Sequence, residues 1–86
     1  MPEISRFFGI VIRMFYNDHI PAHFHAEYAG SETLIEIESL EVYRGELPRR
    51  ALALVLEWAV LHRQALRENW QMTRGGVPPR DIPPLE

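Results

Sequence analysis

The stretch that decides the fold is residues 23–37, HFHAEYAGSETLIEI. On both sides of Ala29-Gly30-Ser31, apolar and polar residues alternate, which is the period of a β-strand with one buried face. We predict strands near His23–Tyr28 and Glu32–Glu38, joined as a hairpin. Because side chains alternate between the two faces of a strand, one face collects the apolar side chains and should face the core. These are Phe24, Ala26, Tyr28, Ile35 and Ile37.

The opposite face of this hairpin is mostly polar, carrying His23, His25, Glu27, Leu34, Glu36 and Glu38. Directly opposed residues share a face, so a four-residue connection would set His25 against Glu36. The same register sets His23 against Glu38. Both imidazoles are then predicted to point outward, beside glutamates.

Residues 7–16, FFGIVIRMFY, are rich in β-branched and aromatic side chains, and they predict one strand with a bulge at Gly9. Residues 40–44 predict a short edge strand that ends at Gly45. The predicted fold class is therefore α+β, with a small antiparallel sheet of three to four strands over about residues 7–44. This sheet should pack on one long C-terminal helix.

Residues 48–76, PRRALALVLEWAVLHRQALRENWQMTRGG, predict that helix, from about Pro48 to Thr73. Pro48 suits a first helical turn and Gly75 a stop. A helix of about 39 Å is longer than a small sheet needs, so we expect an overhang and a possible homodimer contact. Residues 75–86 predict an extended Pro-rich tail, with Ile82 and Leu85 as its anchors.

Length and composition favour one domain over residues 1–86, with 47% hydrophobic and 24% charged residues. The chain has no cysteine, so a metal would need nitrogen and oxygen ligands, and a cytoplasmic location is expected. No signal peptide or membrane span is predicted. A net charge of −3 gives no support to nucleic-acid binding, although all nine basic residues are arginine, which suits local anion recognition.

Three histidines fall within residues 19–25, HIPAHFH. A His-x-His pair on a strand points both rings the same way, so His23 and His25 are candidate metal ligands, with Glu36 as the oxygen donor. The plainer alternative is a pair of exposed contacts between these histidines and glutamates on the next strand. The pattern alone leaves both open.

Acid–base catalysis is a further alternative. A metal-independent ribonuclease could use His19, His23 or His25, with Arg13 or Arg6 as the phosphate clamp. The sequence contains no phosphate-binding glycine loop and no nucleophile elbow, and we predict no cofactor. Whether the chain is an enzyme therefore stays open.

His62 falls in the middle of the apolar side of the predicted helix, where it needs a hydrogen-bond partner. It is either a satisfied core histidine, bonded to Asn69 or a carbonyl, or part of a pocket shared with His19. Trp58 and Trp70 lie on the same side, and they are predicted as core or interface anchors rather than as platforms for bases.

Three strings together resemble the bacterial domain-of-unknown-function family 4160. They are SRFFGI (residues 5–10), HIPAHFH (residues 19–25) and EWAVLHRQALRENW (residues 57–70). The resemblance implies no established activity. It implies a partner from another small uncharacterised family, number 2442, in an arrangement similar to toxin–antitoxin pairs.

Three functions follow as hypotheses. The first is a protein-interaction module that works with an operon-encoded small protein in a toxin–antitoxin-like pair. The second is the toxin-like ribonuclease, and the third is a small metal-binding protein that uses histidine and glutamate.

Overall fold

The computed structural model describes residues 2–86 as a five-stranded antiparallel sheet followed by two helices. The elements are β1 (Glu3–Phe7), β2 (Ile10–Arg13), β3 (His23–Tyr28), β4 (Ser31–Glu36), β5 (Val42–Gly45), α1 (Arg49–Leu61) and α2 (Arg63–Arg74). Spatial order follows chain order, so each strand pairs with its sequence neighbours. The predicted α+β class is confirmed. In the described part of the chain, no helix is both long and apolar enough to span a bilayer.

The predicted single strand over residues 7–16 is not continuous, because Phe7 ends β1 and residues 10–13 form β2. The backbone turns at Phe8 and Gly9, whose φ angles are 50° and 79°. Two successive positive φ angles are what a two-residue type I′ hairpin turn requires. Phe7 consequently pairs with Ile10 across the turn. The predicted bulge is therefore a hairpin, and the sheet has more strands than the three or four predicted.

The central hairpin buries the face that alternation predicts. Four of its apolar side chains have no exposed area, and Tyr28 packs against them partly buried. The four are Phe24, Ala26, Ile35 and Ile37.

The register of this hairpin differs from the prediction. His23 pairs with Glu36, and His25 pairs with Leu34. The cause is the turn at residues 29–30, where Ala29 and Gly30 have φ angles of 49° and 86° and form a two-residue connection. A connection two residues shorter than expected moves every pair along by two positions, which leaves the faces unchanged.

The predicted long helix is interrupted at His62. This residue has φ −122° and ψ 23°, so α1 ends before it and α2 begins after it. Its backbone N–H donates to the Ala59 carbonyl at 3.2 Å, a tighter turn than the α-helical one. The described chain is 33 Å in its longest dimension, less than the roughly 39 Å of an unbroken helix. The single unbroken helix on which the expected overhang rested is therefore not present in the described residues, and the homodimer stays a prediction.

The core lies between one face of the sheet and the two helices, with Trp58 of α1 at its centre. The Trp58 side chain has no exposed area. Its indole lies 5.4 Å from the ring of Phe7 and 5.9 Å from that of Phe24, between ring centroids. One aromatic residue of the helix thus contacts both β1 and β3.

The tail after α2 returns to the body of the protein as an extended segment. Ile82 is 4% exposed, and its N–H donates to the Ile4 carbonyl at 2.7 Å. The Trp58 indole N–H donates to the Pro83 carbonyl at 2.9 Å. Asn69 donates to the Arg80 carbonyl at 2.9 Å and accepts from the Arg80 N–H at 3.0 Å. These contacts hold the tail against β1 and both helices.

Candidate metal centre

Three metal-ligating side chains meet where the loop after β2 folds back on the start of β3. Asp18 lies in that loop, and His23 and His25 lie on the strand. One ligand atom from each falls within 4.8 Å of the others. Asp18 Oδ2 is 3.0 Å from the Nε2 atom of each histidine. The two imidazoles share a face because they are two residues apart on a strand, and their centroids are 5.2 Å apart.

One ring nitrogen of His23 is hydrogen-bonded, and the other has no hydrogen-bond partner among the described residues. Its Nδ1 lies 2.7 Å from the Pro21 carbonyl oxygen, which can only accept, so Nδ1 carries the proton and donates it. In the neutral ring, Nε2 then keeps a lone pair. This atom has no hydrogen-bond partner within residues 2–86. Asp18 Oδ2 is near enough but does not lie where a hydrogen bond from the ring would place it.

The burial of His23 corrects the prediction that this ring points outward. The side chain is 1% exposed, because rings from two later elements cover it. Trp70 of α2 and Tyr43 of β5 each lie 5.3 Å from the imidazole, between centroids. Trp70 and Tyr43 thus bury this end of the face that was predicted to be exposed.

His25 is held at both of its nitrogens. Nδ1 lies 3.1 Å from Glu32 Oε2 and Nε2 lies 3.0 Å from Asp18 Oδ2. Phe15 packs edge-on against the ring at 4.4 Å, which fixes its plane. When Nδ1–H donates to Glu32, the Nε2 lone pair faces the same point as that of His23.

The carboxyl group of Asp18 is ionised in this environment. Burial raises the pKa, but the hydrogen bond from His25 and, when the histidines carry a proton, their positive charge lower it by more, so the net shift is downward. A metal ion would take the place of the proton between His25 and Asp18, and the Asp18 carboxylate would then be its oxygen ligand.

The arrangement has the chemistry of a two-histidine, one-carboxylate metal site. Metal-bound histidines usually donate their second N–H to a carbonyl or a carboxylate, which fixes the tautomer that binds the metal. His23 does so with Pro21, and His25 with Glu32. Two imidazole nitrogens and one carboxylate oxygen suit zinc or iron(II) rather than calcium or magnesium, which prefer oxygen alone.

Tyr43 stands beside this cluster. Its hydroxyl oxygen is 3.3 Å from His23 Nδ1. The Nδ1–H group donates to the Pro21 carbonyl at 2.7 Å, and the Tyr43 hydroxyl is a second, more distant acceptor for the same group. Partial burial and the negative charge of Asp18 raise the pKa of the phenol, so it stays protonated at neutral pH.

The cluster differs from the predicted ligand set in its oxygen donor. Glu36 lies opposite His23 in the sheet but is outside the group of converging atoms, and Asp18 supplies the carboxylate. His19 is exposed, and its backbone N–H donates to Asp18 Oδ1 at 3.3 Å.

The arginines considered for catalysis lie in ion pairs of their own. Arg13 Nε is 3.1 Å from Glu27, and Arg6 is 2.8 Å from Glu3. Acid–base catalysis with either arginine as a phosphate clamp stays a prediction, and these pairs give it no support.

His62 lies beside Trp58 rather than in the cluster, whereas Trp70 contacts His23. The His62 ring packs against Trp58 at 5.6 Å and is half-buried, and no hydrogen bond joins it to Asn69 within the described residues. Trp58 and Trp70 are 0% and 6% exposed, so both are core residues of this chain rather than parts of a free surface.

The sequence contained a signal for Asp18 that alternation does not reveal. Asn17 and Asp18 read as a turn after the first strand, which is one common role of these residues. Asn17 does have a positive φ, 57°. The loop that begins at Asn17 places Asp18 beside the strand that carries both histidines. Asp18 precedes His23 by five residues and His25 by seven, and this spacing is the sequence feature that indicates the cluster.

The profile of the family described as Domain of unknown function (DUF4160) matches residues 9–71. The chain belongs to this family. The DUF4160 region includes Asp18, His23 and His25, and it ends before the tail. Neither the curated proteins nor the solved structures contain a match to the chain.

Proposed function

We propose that this DUF4160 protein is a metal-binding domain in which Asp18, His23 and His25 hold a divalent transition metal ion. One observation carries the proposal. The Nε2 atom of His23 is buried, has no hydrogen-bond partner among the described residues, and lies 3.0 Å from a carboxylate oxygen. A buried polar atom without a partner costs about 1–3 kcal/mol, so a ligand that satisfies it is expected.

The electrostatics of the cluster support a cation at this point. With a proton on each Nδ1, both Nε2 lone pairs and a carboxylate oxygen face one another. Three electron-rich atoms within 4.8 Å repel unless a positive charge lies among them. A metal ion satisfies all three at once, whereas a single proton satisfies at most two.

Zinc is the first ion to test, with iron(II) as the alternative. Both bind imidazole and carboxylate together, and two histidines with one carboxylate occur in catalytic zinc sites and in iron(II) oxygenases. The exchange of a proton for the ion is part of the binding, since both histidines must be neutral.

The experiment is metal analysis of protein purified without a histidine tag, followed by zinc titration. We expect about one ion per wild-type chain. Asp18→Asn should lower zinc affinity at least tenfold while the circular dichroism spectrum is unchanged. Asp81→Asn is the matched control, because Asp81 is an exposed carboxylate of the tail. The proposal fails if wild type binds no zinc, or if Asp18→Asn binds it as tightly.

A second proposed function is the binding of a small protein partner of family 2442, as in toxin–antitoxin-like pairs. Its support is Val60 and Leu61, which are adjacent at the end of α1 and are 58% and 67% exposed. Co-expression with such a protein should give co-elution at micromolar concentration. Val60→Ser with Leu61→Ser should weaken it, whereas Phe8→Asn, at a separate exposed apolar position, should not. Separate elution of the wild-type proteins would count against partner binding.

A further inference from the structure

We infer that the metal ion takes an oxyanion as an additional ligand from the outer face of the sheet, with Arg44 as the second contact of that anion. The anion is a phosphate or a carboxylate group. The inference rests on the proposed function, because it needs the metal ion in place.

The cluster leaves room for such a ligand. Within residues 2–86, three side chains converge, whereas zinc takes four ligands and iron(II) takes up to six. The side chain of His23 is 1% exposed, but those of His25 and Asp18 are 12% and 20% exposed. The accessible side of the centre is therefore the side of His25 and Asp18.

The sheet places two arginines in line with His25. Arg13 pairs with His25 on one side, His25 pairs with Leu34 on the other, and Leu34 pairs with Arg44. Directly opposed residues share a face, so these four side chains form one row across the face opposite the core. Arg44 is two strands, or about 10 Å, from His25.

Arg44 is the arginine of this row that is available. Arg13 is held by Glu27 at 3.1 Å, while Arg44 is exposed and forms no ion pair among the described side chains. A guanidinium group presents a planar fork of donors that matches an oxyanion. Leu34 lies between His25 and Arg44 in this row, and its apolar side chain has no donor that would compete for the anion.

The neighbour of Arg44 on β5 gives a second link to the centre. The hydroxyl of Tyr43 lies 3.3 Å from His23 Nδ1. The strand that carries Arg44 therefore packs against the cluster.

The charges on this face make anion binding depend on the metal. Arg13 neutralises Glu27, but a neutral His25 leaves the charge of Glu32 in place, and Glu36, opposite His23, has no ion pair in the part of the chain that the structure describes. Without the metal these two charges oppose that of Arg44. A divalent ion reverses this balance, so the anion should bind to the metal-loaded protein alone.

The test uses cobalt(II) in place of zinc, because its visible absorption changes with the ligands bound to it. Cobalt-loaded protein is titrated with sodium phosphate and, separately, with sodium acetate. We expect a spectral change with at least one anion. A response to phosphate alone identifies a phosphate-bearing ligand, and a response to acetate alone identifies a carboxylate.

Two substitutions with opposite expected signs make the test specific. Arg44→Gln should weaken the anion about tenfold, and Glu36→Gln should strengthen it about threefold. Neither should change the cobalt spectrum before anion is added, and Arg49→Gln, an exposed arginine of α1, should behave as wild type. A bound cobalt ion that responds to neither anion overturns the inference, as does unchanged affinity in Arg44→Gln. Failure of cobalt and zinc to bind at all instead refutes the proposed function.

Discussion

The imidazole of His23 packs against the indole of Trp70, with 5.3 Å between the ring centroids and 51° between the planes. One residue opens β3 and the other lies near the end of α2. The contact joins the candidate metal centre to the second helix, and it puts an intrinsic fluorophore beside the cluster.

Trp70 should therefore report metal binding. Cobalt(II), which quenches tryptophan over short distances, should quench the fluorescence of wild type, and Trp70→Phe should lose most of that effect. Trp58→Phe is the matched control, because Trp58 contacts Phe7 and Phe24 rather than the cluster. Fluorescence titration checks this, and equal quenching in both variants would place the ion elsewhere.

Glu32 should tune the affinity for the metal without touching it. Its Oε2 accepts a hydrogen bond from His25 Nδ1 at 3.1 Å. Residues that orient a metal ligand in this way usually change metal affinity by about 10- to 100-fold. Because Glu32 is partly exposed, Glu32→Gln should lower zinc affinity by the smaller of these, about tenfold. Glu27 lies directly opposite Glu32 but bonds to Arg13. Glu27→Gln should bind zinc as wild type does in calorimetric titration, and equal losses in the two variants would argue against orientation of His25 by Glu32.

Asn69 should be the principal polar anchor of the tail. It is 2% exposed and makes two hydrogen bonds to the backbone of Arg80. Asn69→Ala should lower the free energy of unfolding by about 2–3 kcal/mol, since two backbone groups lose their partner. Gln64→Ala, on the exposed side of the same helix, should change it by less than about 0.5 kcal/mol. Urea denaturation separates these outcomes, and a small effect at Asn69 would show that the tail does not depend on it.

Gly45 and Gly30 should respond differently to alanine. Both have positive φ, 73° and 86°, which costs about 1–2 kcal/mol for any residue with a Cβ atom. At Gly45 the added Cβ would also collide with the Glu32 backbone carbonyl, whereas nothing lies within 4 Å at Gly30. Gly45→Ala should therefore destabilise the protein clearly more than Gly30→Ala does. Thermal unfolding measures the difference. Equal decreases in stability would mean that β5 moves away from the Glu32 carbonyl without an energetic cost.

Glu38 should contribute to the dependence of stability on pH. The hydrogen bond from Arg67, with N–O distances of 2.8 Å, lowers the pKa of the Glu38 carboxyl from 4.5. A lowered pKa means that the stabilisation is present above about pH 4.5 and is lost as the pH falls through the folded-state pKa. Arg67→Gln should be less stable than wild type at neutral pH, and the gap should close in acid. Urea denaturation at several pH values tests this, and a gap independent of pH would contradict it.

Local patterns were sufficient for the faces of the hairpin and for the paired orientation of the two imidazoles. Period-two alternation depends on backbone geometry alone, so Phe24 and Ile35 could be assigned to the core without knowledge of the register. The register itself depends on Ala29, a non-glycine residue with positive φ, which its residue type does not predict. Phe8 is also a non-glycine residue with a positive φ angle, so its residue type does not predict the turn between β1 and β2.

Long-range contacts decide the remainder of the site. The burial of His23 requires Trp70, which arrives 47 positions later through a helix that bends at His62. No proline or glycine marks that bend in residues 49–74. Residue type alone places Asp18 in a turn, whereas its position beside β3 goes with the contacts of Phe15 and Pro21 to the two histidines, which no local motif predicts.

The hydrogen bond between Ile82 and Ile4 brings the tail next to β1. A short linker between these two segments could therefore close residues 2–86 into a ring, so that this part of the sequence could be reopened elsewhere as a circular permutant. The exposed turn at Ala29 and Gly30 would be a suitable opening point, although it would separate His25 from Glu32 along the chain. Such a permutant would show whether covalent continuity across that hairpin is needed for the imidazoles to bind an ion.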